Sequence, residues 1–554
     1  MSLPKSHTGE LTSRAAPGAA SAAPPPAIVR LPTAVTAFIG RTLKGPLNTP
    51  VSIGGFGEFQ QVFGGLWQPA PLGYALEHYF ENGGRQAIVV RVANSARAPT
   101  LRLPAGRGAL LLRGRSPGTR EFLRAAVDYD GIKAGALDQF NLVLQRLRAP
   151  GSQLIEDQET VRGVSVRVSA PNNVEQALSE SRLMRVAGPL PMQRPEPTAG
   201  LQNGNAVGYI GAQGDGTDGL DLTDYDVIGA EADGTGLFAL CAGPRFDLLC
   251  VPPLTREQDP GLATLLVAAR LCRSRQALLL VDAPRDWDSV KAAATGAERW
   301  AFHSEDALMF FPRLLGFDRL RGRQESFAAT AAAAGMMARA DQSSPLWSAA
   351  AGEGALLRPS LRLSLPISAA ERAQLARLGV NCVEAVRTPP GMERSAHTLL
   401  PENAAREAAR LAPARRLSLW LQSCILEGTR WTLEEAAGPE LWGRAAEQVA
   451  AFLDALSEEG AFTGRDSDER YFVVCDRRLN DQVGSARRFC LLFGFAAFQP
   501  NEFQTCLVTH EPGASRVRVV SLNRLALMSA REMDQIETAI LRQLVSEPGL
   551  ERRV

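Results

Sequence analysis

Charge of either sign is not in excess in this sequence: 60 Lys and Arg stand against 59 Asp and Glu. A chain without net charge lacks the long-range field that gathers phosphate backbones, which argues against nucleic acid as a ligand. Low net charge also removes a barrier to self-association. There are only eight cysteines, never spaced C-x-x-C, and they sit in apolar runs such as "LCAGPRFDLLCV" (240–251). That setting predicts buried free thiols in a reducing compartment rather than a disulfide framework. The five histidines, His7, His78, His303, His397 and His510, are far apart and have no metal-ligand spacing. No run of 18 apolar residues occurs, so no transmembrane helix is expected. Residues 1–27 carry Lys5, Glu10 and Arg14 ahead of "AAPGAASAAPPP" and contain no apolar core of a signal peptide. Synthesis and folding in the cytoplasm are the expectation.

What is present is a soluble-protein composition, 45% hydrophobic and 21% charged, on a chain of 554 residues. That length predicts about two to four domains. Residues 1–27 are Ala/Pro-rich and read as a disordered or extended arm. "TAVTAFIG" is β-branched and apolar between Pro32 and Gly40, a buried strand. "PLGYALEHYFENGG" opens on Pro71 and closes on Gly83-Gly84, an amphipathic helix. "QAIVVRV" (86–92) is a second buried strand. From about 95 to 203 the segments shorten and alternate, as in "ALLLRGR" and "VSVRVS", which predicts a mostly β domain.

Residues 205–340 return to α/β. "NAVGYIGA", "DLLCVPP" and "QALLLVDAP" read as strands, and "PGLATLLVAARLCRS" as the crossover helix of a parallel pair. Residues 345–554 read as a further α/β domain. In it "SAAERAQLARLGV" carries a capping box, Ser368 with Glu371. "GPELWGRAAEQVAAFLDALSEEGAF" is a long helix and "RYFVVCDRRLN" a strand and turn. "GSARRFCLLFGFAAF" is a helix or long apolar segment, "FQTCLVTH" and "SRVRVVSLN" are β-like, and 529–546 is a terminal amphipathic helix.

Motifs that carry chemistry are scarce. Neither G-x-S-x-G nor G-x-x-x-x-G-K-[ST] occurs. "GDGTDG" (214–219) matches G-x-G-x-x-G, but "LDLTDYD" follows it instead of a helix, and Asp215, Asp218 and Asp221 would repel a phosphate. It reads as a turn-rich loop. "DGTDGLDLTDYD" lacks the calcium-loop core and its closing Glu. "HSED" (303–306) reads as a helix start with Ser304 as N-cap. The aromatics of "ERWAFHSEDALMFFPRL" read as core, and "RLRGRQ" (319–324) as a solvated or protein-contact face. No enzyme activity, metal or cofactor is expected.

The long ordered series "TAVTAFIGRTLKGPLNTPVSIGGFGEFQQVFGG" into "PLGYALEHYFENGGRQAIVVRVA" resembles the N-terminal signature of contractile tail sheath proteins, from bacteriophage tails and from phage-tail-like contractile injection systems. Its carriers are Phe38-Ile39-Gly40, Arg41 before Gly45-Pro46, Glu58-Phe59, Phe63-Gly64-Gly65, "FENGG" and "VVRVA". The likeness continues through "RGRSPGTREFLRAAVDY" (113–129), "DLTDYDVIGAEADGTGLFAL" (221–240), "QALLLVDAP" (276–284), "LGVNCVEAV" (378–386) and "QPNEFQTCLVT" (499–509), and so spans about 28–510. The sequence departs from the family where "TGELTSRAAPGAASAAPPP" stands in place of a Pro-Gly-Val-Tyr strand, and in residues 511–554, which run past the usual end.

The resemblance implies an α/β (α+β) multidomain, sheath-like fold. Residues 1–27 would be an arm, 28–94 with 204–344 a discontinuous α/β domain, 95–203 an inserted β-rich domain, and 345–554 an inner domain facing a tube. It implies a structural subunit that polymerises helically around an inner tube and contracts, using energy stored in the extended state. A non-contractile tail or baseplate protein, or a minor sheath paralogue, is the alternative. The implied partners are further copies of the chain, the inner tube protein, and baseplate and tail-terminator proteins, without nucleic acid or membrane insertion. Strand exchange between copies would fall on Ala27, Ile28, Val29, Arg30 and Leu31, and on Arg516, Val517, Arg518, Val519, Val520, Ser521 and Leu522. The second of these strands could instead complete the subunit's own sheet.

Overall fold

Phe38-Ile39 and Val89-Val90 belong to strands buried at every position, as unbroken apolar runs are when both faces of a sheet are covered. The computed structural model describes residues 25–198, 208–348, 356–384, 396–400, 402, 407–480, 488–500 and 502–520. The chain divides into two units, residues 31–423 and residues 1–30 with 424–554.

The larger unit opens with β1 (Thr36–Gly40), β2 (Val51–Ile53), the helices α1 (Phe56–Phe63) and α2 (Pro71–Glu81), and β3 (Ala87–Arg91). Pro71 sits in the first turn of α2, where its missing N–H costs nothing. A long insertion follows. It contains β4 (Thr100–Ala105), β5 (Gly108–Gly114), β6 (Phe122–Asp128), β7 (Gln139–Leu147), β8 (Ile155–Ser165), the single turn α3 (Val174–Ala177), β9 (Met184–Val186) and β10 (Ile210–Gly211). The sheet then resumes. Helix α4 (Asp224–Ile228), β11 (Leu248–Cys250), α5 (Leu262–Ser274), β12 (Leu278–Asp282), α6 (Val290–Glu298) and β13 (Ala307–Phe311) lead to the hairpin β14 (Leu314–Asp318) and β15 (Arg323–Phe327). Helix α7 (Thr330–Ala340), β16 (Leu361–Leu363), α8 (Ala369–Arg377), β17 (Val380–Cys382), α9 (Glu407–Arg410) and α10 (Ala412–Gly428), whose residues from Cys424 on belong to the smaller unit, complete the run.

The central sheet has the order β17-β13-β12-β11-β1-β3-β2. All its pairs are parallel except β2 with β3. Residues alternate between two cores. Ile39, Val90, Leu249, Leu279 and Met309 face one, with Leu265 and Ala268 of α5. Phe38, Val89, Leu248, Leu280 and Leu308 face the other, with Phe59, Leu76 and the alanines of α7. The alanine-rich stretch 331–334 lets α7 lie close to the sheet, since its four side chains are all buried.

The insertion forms two antiparallel sheets, β4-β5-β9 and β10-β6-β7-β8, around a core of Leu101, Leu103, Leu112, Leu123, Val127, Phe140 and Leu142. Alternation in β4, with Leu101, Leu103 and Ala105 inward, is what one solvated face requires. β8 ends the larger sheet and carries Glu156, Asp157, Glu159 and Arg162 on a mostly exposed strand. Charges at a sheet edge oppose unplanned pairing.

The insertion is joined to the central sheet by a clasp built from "GDGTDG". Outgoing and returning segments bridge at Arg97 with Thr217 and at Asn94 with Leu220. Asp215 accepts from the Thr100 amide and hydroxyl, both at 2.7 Å. Asp218 does the same for Thr119, both at 2.8 Å. These carboxylates are consumed by backbone and hydroxyl donors, so the loop holds protein rather than a ligand. A Cβ at Gly219, where φ is +74°, would lie 2.1 Å from the Asn94 carbonyl oxygen. Arg41 donates to the carbonyls of Asp218 and Gly219, both at 3.0 Å, and pairs with Asp221 at 3.1 Å. Its guanidinium also lies 4.6 Å from the Trp67 ring centroid. Arg91, only 1% exposed, donates to the carbonyls of Gly45 at 2.6 Å and Pro117 at 2.8 Å. Burial lowers its pKa to about 10, so it stays charged at neutral pH.

In the smaller unit, α11 (Pro439–Glu458) and the short turn α12 (Ser467–Arg470) precede a four-stranded antiparallel sheet. Its strands are β18 (Tyr471–Val474), β19 (Phe489–Phe495), β20 (Gln504–Glu511) and β21 (Ala514–Val519), in that order, with the turn α13 (Arg477–Asn480) after β18. Helix α11 buries Leu441, Ala445, Val449, Phe452, Leu453 and Leu456 at helical spacing. His510 of β20 is 0% exposed. Its ring nitrogens lie 2.8 Å from Thr429 Oγ1 and 2.8 Å from Ser515 Oγ of β21.

Several expectations change. "HSED" starts no helix. Ser304 bridges to Leu399, and its hydroxyl accepts from the Asp306 amide. The chain then enters β13, because five buried residues in a row suit a strand covered on both faces. Asp306 is buried between Arg273, at 2.9 Å, and Arg415. Within "GSARRFCLLFGFAAF", Phe489–Phe495 forms the strand β19, buried at all seven positions between β18 and β20. An apolar run flanked on both sides by partners follows the ladder rather than helix propensity. β16 pairs with β14 and β17 with β13, so residues 361–382 belong to the larger unit. Cys241 is exposed, unlike Cys250, Cys272, Cys424, Cys475, Cys490 and Cys506, which are buried. The helix expected over 529–546 lies outside the described residues.

Two consequences can be measured. Gly219→Ala should destabilise the larger unit by about 2–4 kcal/mol, from left-handed strain plus the clash. Gly214→Ala, also at positive φ but with nothing within 4 Å, should cost about 1–2 kcal/mol. Thermal unfolding of both variants makes the comparison, and equal losses would refute the close-packed clasp. Burial pushes His510 from the ordinary 6.5 down to about 4. The unfolded chain then binds the extra proton, so the stabilisation is complete above pH 6.5 and is lost as pH falls towards 4. Hydrogen exchange of β20 and β21, corrected for intrinsic rate, should lose about twentyfold protection from pH 7 to pH 5. His510→Gln should remove that dependence.

Candidate assembly interface

Assembly of identical chains needs exposed main-chain edges or complementary faces. β21 is the last strand of its sheet. It pairs antiparallel with β20, Val517 opposite Val508 and Arg516 opposite Thr509. Val517 is buried between the exposed Arg516 and the half-buried Arg518, which point to the opposite face, while Val519 at the strand's end is exposed. Of the expected exchange residues, Arg516, Val517, Arg518 and Val519 thus complete the subunit's own sheet. Val520 follows the strand and still donates to the Thr505 carbonyl at 2.8 Å. Ser521 and Leu522 lie outside the described residues. No other strand among the described residues lies on the far side of β21.

Ala27, Ile28, Val29 and Arg30 join no strand ladder. Ile28 is buried, set against Gly428, where a Cβ would lie 2.8 Å from its Cγ1. The Pro26 carbonyl accepts from Gln448. Arg30 forms a two-bond pair with Glu459, at 3.0 and 2.5 Å. With both partners about half exposed, that pair contributes roughly 0–1 kcal/mol. Val29 is 72% exposed. Leu31, in the other unit, offers its carbonyl to Trp420 Nε1 at 2.9 Å. The segment is therefore held by side chains and has not entered a sheet.

The sequence reading did not find a third surface. A groove of about 1780 Å³ runs between the insertion and the α1 region. Lys44, Arg115, Arg120, Arg148 and Arg182 line it, and the exposed Leu154 and Leu320 stand at its rim. Lys44 is paired with Glu156 at 2.7 Å, whereas Arg120 and Arg148 are exposed. Elsewhere, residues 195–244 contain Glu196, Asp215, Asp218, Asp221, Asp224, Asp226, Glu231 and Asp233 and no Lys or Arg. Tyr225 within that stretch is 86% exposed. The imbalance was visible in the sequence as a 50-residue window without a cation. The groove was not, because its cations come from the loop after β1, from separate parts of the insertion and from the turn between β14 and β15.

Among the described residues, no three His, Cys, Asp or Glu side chains are grouped to hold a metal ion. No helix among them is long and apolar enough to cross a membrane.

No protein-family model matches the chain, and no curated protein matches it. Solved structures do. The sheath tail protein of Listeria innocua is 12% identical, with 88% of this chain and 94% of that one covered, at a TM-score of 0.52. A sheath tail protein from Desulfitobacterium hafniense is 9% identical over 93% of this chain and 100% of that one, at a TM-score of 0.48. The sheath of the extracellular contractile injection system PVC, in its contracted state, is 13% identical over 89% and 97%, also at 0.48. On the Listeria comparison, which spans nearly all of both chains, this protein has the fold of a tail sheath protein.

Proposed function

We propose that the protein is a structural sheath subunit that assembles helically around an inner tube and contracts to drive that tube through a target envelope. The observation that carries this reading is the likeness to a sheath tail protein over 88% of the chain. Subunits are made in the cytoplasm and assembled into a phage tail or a phage-tail-like particle. Their partners are other copies, a tube protein, a baseplate and a terminator. No nucleotide enters the mechanism and the protein is not an enzyme. Work comes from a metastable extended lattice relaxing to a second set of interfaces, a rigid-body switch repeated along a polymer.

A contact that joins two different faces and does not close into a ring generates the required helix. Two kinds of contact serve it here. The outer edge of β21 and the residues around Val29 supply main-chain linkage between copies, which can swing without breaking. The basic groove receives the acidic, Tyr225-bearing surface of a second copy, a pairing supported by their opposite charge.

Negative-stain electron microscopy of the full chain, co-expressed with its tube protein and exposed to mild guanidinium, tests the function. Hollow striated tubes that shorten and widen are expected. A monomer or small closed ring under every condition would overturn the sheath reading and favour a baseplate or minor-paralogue role. Within tubes, Arg120→Glu with Arg148→Glu should abolish growth at physiological salt. Adding Glu231→Lys and Asp233→Lys to the same chain should restore it. Tubes that survive the first pair of changes would refute the groove contact while leaving the sheath function standing.

A further inference from the structure

The central sheet is parallel, and its strands β11, β12 and β13 end at one rim. Open α/β sheets bind ligands in the crevice beyond the carboxyl ends of their strands. A cavity of about 60 Å³ lies there, several times the space one water needs. Each strand delivers its next residues to the wall: Pro252 and Pro253 after β11, Arg285 after β12, and Arg313 after β13. Pro71 and Tyr74 bring the N-terminus of α2, an eleven-residue helix without a side-chain cap. The β14–β15 hairpin closes the side with Arg321 and Glu325.

Four arginines converge on this cavity, and they differ in how well they are matched. Arg256 is satisfied, with Asp318 at 2.7 Å and the Gln68 carbonyl at 2.8 Å. Arg321 is paired with Glu325 at 2.9 Å. The other two are not matched in this way. Arg313 gives its Nε to Ser326 Oγ at 3.1 Å, but its Nη1 is buried and makes no hydrogen bond. The nearest carboxylate oxygen, of Asp259, stands 3.8 Å from that nitrogen. Asp259 itself accepts from the Arg285 amide at 3.0 Å. The Arg285 side chain is exposed at the mouth. A buried guanidinium N–H without an acceptor costs free energy that a bound anion would recover. The dipole at the start of α2 adds in the same direction.

We infer that this cavity is a binding site for a small phosphoryl anion, held by Arg313 from inside and Arg285 from the mouth. The prolines and Tyr74 shape it against larger ligands, and the volume suits one phosphoryl group rather than a nucleotide. Neither residue belongs to the assembly surfaces described above, so the site does not depend on the sheath reading.

Thermal unfolding and titration calorimetry of the full chain decide the matter, with inorganic phosphate, pyrophosphate, glutarate and chloride compared at one ionic strength. Phosphate should raise the unfolding temperature saturably while chloride does not. Arg313→Met and, separately, Arg285→Glu should each weaken phosphate binding at least tenfold. Arg285 lies on the surface, so its variant still reports if the Arg313 variant fails to fold. Equal effects of phosphate and chloride would overturn the proposal, as would a phosphate Kd within twofold of wild type in the Arg285 variant. Binding of glutarate in place of phosphate would overturn the phosphoryl assignment and mark the cavity as a receptor for carboxylates.

Discussion

Two guanidinium groups hold the insertion to the sheet. Arg41 and Arg91 stand at the ends of the first two parallel strands, where the chain turns away from the core, and both are almost wholly buried. Four of their hydrogen bonds go to main-chain carbonyls, those of Gly45, Pro117, Asp218 and Gly219. A fixed fork of donors can tie several backbone segments at once, which a lysine cannot. Such carbonyls would otherwise sit at a domain junction with no ladder to satisfy them. The clasp thereby turns two flexible connections into a defined joint. Everything that depends on the orientation of the insertion inherits that joint, including the basic groove it shares with the loop around Lys44.

The same logic explains why the most catalytic-looking motif does no chemistry. The glycines of "GDGTDG" permit main-chain approaches that a Cβ would forbid, at Gly118 and Asn94. Two of its aspartates are hydrogen-bonded to threonine amides and hydroxyls. A phosphate loop needs free amides and a helix N-terminus; here the next helix, α4, starts only at Asp224, and the Thr217 amide donates to the Arg97 carbonyl. The cavity at the ends of β11, β12 and β13 instead gathers four arginines, of which Arg313 keeps a buried Nη1 without a hydrogen bond.

The two units solve burial differently. The larger one covers both faces of a parallel sheet with helices, so its strands are apolar throughout. The smaller one ends in an antiparallel sheet whose last strand keeps one edge and one face wet. A parallel sheet buried on both sides is a rigid platform, whereas an open edge is a place where another chain's strand can add.

The sequence by itself determined the local elements whose signals are local. The Pro71 start and the glycine stop of α2, the Ser368–Glu371 capping box, the fully apolar β1 and β3, and the alternating strands of the insertion follow from propensity and periodicity over a few residues. The ordered series from Phe38 to Ala93 also carried the fold, because many matched positions in one order are far less degenerate than a short motif. Tertiary structure decided what depends on partners distant in the chain. β19 is a strand because β18 and β20 flank it, although its apolar run reads equally well as a helix. Residues 361–382 join the larger unit because β14 and β13 accept them as neighbours. Arg313 and Arg285 meet at one cavity only because β12 and β13 end at the same rim. No window of sequence contains such a meeting, since side chains brought together by parallel strands are separated by the crossover helices that parallel pairing requires.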